Sequence, residues 1–188
     1  MIDTQDFKKG TWIELDGKPY MVTEVAKHAP TARGGKTLVK CKLRNLLDQS
    51  QLAREFKSGE MFNQPDLRRR PVTFLYKAGE NFAFMDIETY DQFELPLEKL
   101  SGQEGYLLDG LEVKAVYYND GLVSIEVPQY VEMEVVSVEP GARGDTSGKV
   151  TTPATMPTGL VVAVPLYVKA GERIRIDTRT GEFQDRIR

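Results

Sequence analysis

The chain has 188 residues, 40% apolar and 28% charged, with a formal net charge of −3 and one cysteine, Cys41. That balance is globular rather than disordered, and no apolar run approaches the ~20 residues that cross a bilayer. One cysteine allows neither an internal disulfide nor a Cys-rich metal site, and "MIDTQDFKKG" has no signal-peptide core or cleavage site, so a soluble, cytoplasmic protein with no membrane partner is expected.

In chain order, "TWIELDGKPYMVTEVA" predicts a hairpin, with Asp16-Gly17 as a strong turn signal between β-prone runs. "TLVKCKLRNLL" alternates, with Leu38, Lys40 and Lys42 on one side and Val39, Cys41 and Leu43 on the other. "VTFLYKAGENFAFMDIETYDQFEL" predicts a second hairpin turning at residues 78–81. "LEVKAVYYNDGLVSIEVP" predicts a third, turning at Asn119-Asp120-Gly121. "YVEMEVVSVEP", "GLVVAVPLYV" and "ERIRIDTRTGEF" complete the strands, and "PLEKLSG" predicts one short helical turn. Many short strands with regular turns indicate small barrels or sandwiches. Two stretches read as linkers, "NQPDLRRRP" (63–71) and "VPQY" (127–130). Cutting there gives three domains, 1–64, 65–127 and 128–188, each of roughly 60 residues, the size of a minimal β-barrel.

Charge is uneven. Residues 27–57 hold eight basic and two acidic residues, whereas 65–127 hold six basic and twelve acidic. A basic end on an acidic body suits an oriented encounter with a polyanion, and a merely solvated basic face has the same composition.

Enzyme chemistry finds little support. The only histidine is His28, and there is no Gly-x-Ser-x-Gly elbow. His28 and Cys41 flank the loop "HAPTARGGKT" symmetrically and are candidates to face each other as an activated Cys–His pair. The plainer reading makes Cys41 a small apolar residue on the inward side of its strand. "GARGDTSGKV" (141–150) fails the nucleotide-binding P-loop pattern at Arg143 and Val150. Glu88, Asp91, Glu94 and Glu98 lack metal-ligand spacing and read as a solvated acidic face. No cofactor or metal is expected.

"PATMPTGLVVAVPLYVKAGERIRIDTRTGEF" (153–183) closely resembles the signature of bacterial translation elongation factor P, through Ala154-Thr155, Gly159, Val164-Pro165, Gly171, Ile174, Ile176, Asp177-Thr178 and Gly181-Glu182-Phe183. "GDTSG" (144–148), "VPQYVEMEVV", "KLRNLL" and "EFKSGE" extend the resemblance over essentially the whole chain. Thr152 stands where the family usually has a basic residue.

The resemblance implies an all-β protein of three small barrels, a KOW-like (SH3-like) N-terminal barrel followed by two OB-fold barrels, in an L-shaped, tRNA-like arrangement. It implies a monomeric, non-enzymatic factor that binds the 70S ribosome beside peptidyl-tRNA, between the peptidyl and exit sites. There it stimulates peptide-bond formation and relieves stalling at consecutive prolines. A stand-alone OB-type RNA-binding protein or RNA chaperone is the alternative.

In the family the tip of the first domain reaches the tRNA CCA end and carries a lysine or arginine that is often enzymatically extended. Counting back from "KLRNLL" puts Gly34 at the lysine position, so Arg33 becomes the expected tip and modification site, with Lys36 as runner-up. "PTARG" resembles the arginine-tipped paralogues of the factor. Thr31, Arg33, Gly34, Gly35 and Lys36 form the expected tip contact, with a tip-modifying enzyme as a further partner. Lys27, Lys40, Lys42 and Arg44 are expected phosphate contacts. Arg143, Gly144, Asp145, Thr146, Ser147 and Gly148 are expected to reach the small subunit or tRNA.

Overall fold

The computed structural model describes residues 1–28, 37–139 and 150–187. Among these the chain is almost wholly β, interrupted by single 3-10 turns at Thr4–Asp6, Leu97–Leu100 and Glu104–Tyr106. The strands are β1 (Ile2–Asp3), β2 (Trp12–Leu15), β3 (Lys18–His28), β4 (Leu38–Asn45), β5 (Gln51–Lys57), β6 (Met61–Phe62), β7 (Leu67–Ala78), β8 (Asn81–Asp86) and β9 (Gln92–Pro96). They continue with β10 (Glu112–Tyr118), β11 (Gly121–Glu126), β12 (Tyr130–Glu134), β13 (Ser137–Val138), β14 (Thr151–Thr155), β15 (Val161–Pro165), β16 (Arg173–Asp177) and β17 (Glu182–Ile187). Packing divides the chain into two compact units, Met1–Arg70 with Ala115–Ser124, and Pro71–Lys114 with Ile125–Arg188.

In the first unit β2, β3, β4 and β5 form an antiparallel sheet in that order. Asp16 and Gly17 both take positive φ, 52° and 72°, which is the two-residue turn whose twist matches the flanking strands. The predicted alternation of β4 holds, since Val39, Cys41 and Leu43 are buried while Leu38, Lys40 and Lys42 are exposed. The inward residues join Phe7, Ile13, Val22 and Phe56 in one core. Phe56 lies 6.2 Å from Phe7 and 4.8 Å from Phe62, both edge-on, a geometry aromatic quadrupoles favour. A smaller cluster gathers Leu46, Val116 and Val123 with Trp12, Met21, Leu67 and Tyr118.

The turn at Asn119 and Asp120 repeats the positive-φ device, at 47° and 63°. It closes the hairpin of β10 and β11, which belongs to a sheet ordered β11-β10-β7-β8-β9. In the second unit, Phe74 and Phe93 flank Phe84 at 5.4 and 5.7 Å. Two three-stranded sheets, β12-β16-β17 and β13-β14-β15, enclose a core of Val131, Met133, Ala154, Met156, Val162, Val164, Ile174 and Ile176.

One local expectation changes. Residues 63–71 are not a simple linker, because β7 begins at Leu67 and runs through Pro71. Pairing with β8 starts only at Val72, so the N–H that Pro71 lacks costs no bond to β8. Its carbonyl accepts from the Ile87 N–H at 3.3 Å. The less favoured candidate, a facing His28 and Cys41, does not form, because Cys41 lies opposite Val25 and His28 opposite Leu38, and Cys41 is an inward core residue as its plainer reading had it.

Candidate nucleic-acid interface

Strands β3 and β4 are the two arms that carry "HAPTARGGKT". Their register runs from Tyr20↔Asn45 to His28↔Leu38, with an irregularity between Val22 and Glu24. The Thr23 hydroxyl donates to the Lys42 carbonyl at that irregularity, at 3.1 Å. The expected tip residues Thr31, Arg33, Gly34, Gly35 and Lys36 lie outside the described residues. So do Arg143, Gly144, Asp145, Thr146, Ser147 and Gly148.

The four expected phosphate contacts are described. Lys40 and Lys42 stand on the outward side of β4, two residues apart and so on one face, with the half-buried Arg44 next in the same row. Each lysine meets a carboxylate on a neighbouring strand. The Lys40–Glu55 pair spans 2.8 Å and the Lys42–Glu24 pair 2.9 Å. The side chains of the first pair are 51% and 52% exposed. Such cross-strand pairs stabilise by only about 0–1 kcal/mol, so they hold the lysines upright without removing them from a competing anion. Lys27 is exposed and donates to the Gln5 carbonyl at 2.5 Å.

Charge follows the structural division. The first unit contains fourteen Lys and Arg against ten Asp and Glu, and the second eleven against eighteen. The net values are therefore +4 and −7. A field of that asymmetry orients the approach of a polyanion before contact.

Nucleophile chemistry has no support at Cys41. Burial in the apolar core pushes its thiol up to about 11, the opposite of a reactive thiolate. An open groove of about 660 Å³ in the second unit is lined by Phe74, Phe82, Leu107 and Leu108, with Lys77, Glu104 and Asp109 among its polar residues. Its lining contains neither histidine nor cysteine.

Three family models match in succession. They are the elongation factor P KOW-like domain over residues 3–62, the elongation factor P OB domain over 67–125, and the elongation factor P C-terminal domain over 131–186. Elongation factor P of Desulfovibrio desulfuricans is 42% identical over 186 residues, covering 99% of this chain and all of that one. The chain belongs to the elongation factor P family. Elongation factor P of Nitratidesulfovibrio vulgaris (strain Miyazaki F) is 39% identical over the same length, with the same coverage. Among solved structures, the eukaryotic translation initiation factor 5A from Methanococcus jannaschii is similar at a TM-score of 0.42 and 21% identity, over 67% of this chain and 93% of that one.

Membership of the elongation factor P family makes the chain a translation factor, with the KOW-like and OB domains expected from its sequence. No helix among the described residues is long and apolar enough to cross a membrane. Thr152 is buried, and its hydroxyl donates to the Glu139 carbonyl at 2.6 Å.

Sequence reading passed over one basic element of this family member. Arg68, Arg69 and Arg70 follow Leu67 at the start of β7, and all three are exposed. The signal was present as "RRR", but the flanking prolines drew the segment into the linker reading.

Proposed function

We propose that the chain binds the 70S ribosome beside peptidyl-tRNA, between the peptidyl and exit sites, and speeds peptide-bond formation on complexes stalled at consecutive prolines. The observation that carries this is the match to elongation factor P along 99% of the chain. The basic first unit agrees with it, since β3 and β4 would deliver a cationic loop to RNA. Proline is a poor nucleophile when its geometry is constrained, and orienting the reacting groups recovers much of such a barrier. Contacts to phosphate and sugar would position the CCA end without reading sequence, as a factor serving many peptidyl-tRNAs requires.

In this reading Arg33 is the tip, bare or enzymatically modified, with Lys36 as the second candidate. Gly34 and Gly35 let the backbone approach RNA closely, and Thr31 completes the contact. Lys27, Lys40, Lys42 and Arg44 bind phosphate, and Arg143 to Gly148 reach the small subunit or tRNA. Domains of 1–64, 65–127 and 128–188 are supported by the three matched segments. The factor acts as a cytoplasmic monomer.

The test is reconstituted translation of a message with a polyproline stretch. Addition of the protein should relieve the stall, and Arg33→Ala should abolish relief while leaving the melting curve unchanged. A fully active Arg33→Ala protein would move the tip to Lys36. No relief by the wild-type protein, purified from its native host with any tip modification, would sink the reading.

A further inference from the structure

Arg68, Arg69 and Arg70 supply half of the six basic residues between Pro65 and Val127, a stretch with twelve acidic ones. They fall in the basic unit, together with Ala115–Ser124. Two of them are held by that hairpin. Arg68 forms an ion pair with Asp120, and both side chains are well exposed, at 60% and 82%. The Arg70 guanidinium lies 5.5 Å from the ring centroid of Tyr117. Arg69 donates to the Leu67 carbonyl at 3.4 Å.

The contacts of Arg68 and Arg70 steady these two guanidinium groups. The Tyr117 ring attracts the Arg70 guanidinium through its quadrupole, and Arg70, exposed on β7, carries five N–H donors suited to phosphate oxygens. An exposed Arg–Asp pair is weak and screened by salt, so Arg68 can share its remaining donors with a phosphate. Asp120 is itself fixed, at φ 63° in the β10–β11 turn. Charge on a stretch of β7 that precedes its pairing with β8, which starts at Val72, also guards that side against strand pairing, for which lysine commonly serves. Three adjacent arginines, one on a tyrosine and one on an aspartate, go beyond that need and match the chemistry of an RNA backbone.

We propose that Arg68, Arg69 and Arg70 form a second phosphate-contact patch for RNA, made of residues other than 29–36 and the Lys40–Lys42 row. The patch anchors the basic unit on ribosomal RNA or tRNA by charge and shape, not by sequence. It rests on the ribosomal reading above.

The test measures equilibrium binding of the full-length chain to 70S ribosomes carrying peptidyl-tRNA, across a salt series. For R68Q/R69Q/R70Q the expected result is roughly tenfold weaker binding at moderate salt, with a log–log salt slope shallower by about 2, as loss of two to three phosphate contacts requires. The charge-retaining R68K/R69K/R70K should recover most of the slope. Unchanged affinity and slope in the glutamine variant would overturn the patch. So would weaker binding with an unchanged slope and a lowered melting temperature, which would make the arginines structural. Hydroxyl-radical footprinting should show an rRNA or tRNA position protected by wild type and exposed with the glutamine variant. A footprint identical for both, despite weaker binding, would assign the patch to an acidic protein surface and overturn the RNA assignment. If the wild-type chain fails to bind ribosomes at all, the ribosomal reading falls and this patch with it, an outcome distinct from a defect confined to the variant.

Discussion

Thr152 and Glu139 are joined by a side-chain-to-backbone hydrogen bond, and a backbone bond from Glu139 to Pro153 lies beside it. The Thr152 hydroxyl donates to the Glu139 carbonyl at 2.6 Å, and the Glu139 N–H donates to the Pro153 carbonyl at 3.0 Å. Replacing Thr152 by Val keeps the volume but leaves the Glu139 carbonyl short of one donor. The expected cost is about 1 kcal/mol, read as a lower midpoint in chemical denaturation followed by circular dichroism. An unchanged midpoint would mean that water replaces the hydroxyl at no cost.

Asp177 supports the same unit from β16. Its carboxylate accepts from the Arg179 side chain at 2.7 and 3.2 Å and from the Arg179 backbone N–H at 2.9 Å. These bonds hold its pKa down at about 2, against the opposing effect of burial. A group whose pKa is lower in the folded chain adds stability that is complete above its unfolded value and lost as pH falls through the folded one. The contribution of Asp177 should therefore decline between about pH 4 and pH 2. Asp177→Asn should lower the melting temperature at pH 7 and narrow its gap from wild type by pH 2. A gap that is constant over that range would show that the charge of Asp177 is irrelevant.

Cys41 offers a direct test against the nucleophile reading. Its side chain is 3% exposed, within the core formed by Val22, Leu43 and Phe56. With the thiol pushed up to about 11, an aromatic disulfide reagent at pH 8 should label it only as the unit opens. Cys41→Ala should leave polyproline relief intact and cost about 1 kcal/mol or less, whereas Cys41→Ser should cost about 1–3 kcal/mol by burying a hydroxyl. Rapid labelling of the folded protein, or loss of activity in a folded Cys41→Ala variant, would restore the enzyme hypothesis.

The parts of the fold legible in the sequence are those where local chemistry and tertiary need agree. Asp16-Gly17 and Asn119-Asp120 announce their turns because few residues accept successive positive φ angles. The β4 strand announces its faces because one side meets the core. The strands missed are those whose reason lies elsewhere in the chain. In β5, Phe56 alone is buried, and the strand is held by a seven-residue register with β4 from Leu38↔Lys57 to Arg44↔Gln51. In β14, Pro153 argues against a central strand, yet it pairs opposite Ala163 between β13 and β15. The two residues of β13 pair only with Thr155 and Ala154, so the missing N–H of Pro153 removes no bond there. Of the candidate site, the basic row on β4 was legible from alternation, whereas the partners Glu24 and Glu55 required the sheet register. The arginine triplet required the hairpin that carries Tyr117 and Asp120.

Phe56 carries the most weight in the core beneath the β2–β5 sheet. It is the one buried side chain of β5, and it meets Phe7 at 6.2 Å and Phe62 at 4.8 Å. Removing its ring leaves a cavity that two other rings and the β4 backbone cannot close, so Phe56→Ala should destabilise the first unit by about 3–5 kcal/mol. Trp12, the sole tryptophan, belongs to that unit, so its fluorescence reports this unfolding separately from the second unit. The expected result is an early fluorescence transition with the remaining circular-dichroism transition in place. Polyproline relief should fall as the folded fraction of the first unit falls and recover on cooling. A variant with normal fluorescence stability but lost activity would place Phe56 in function rather than in support, contrary to its burial.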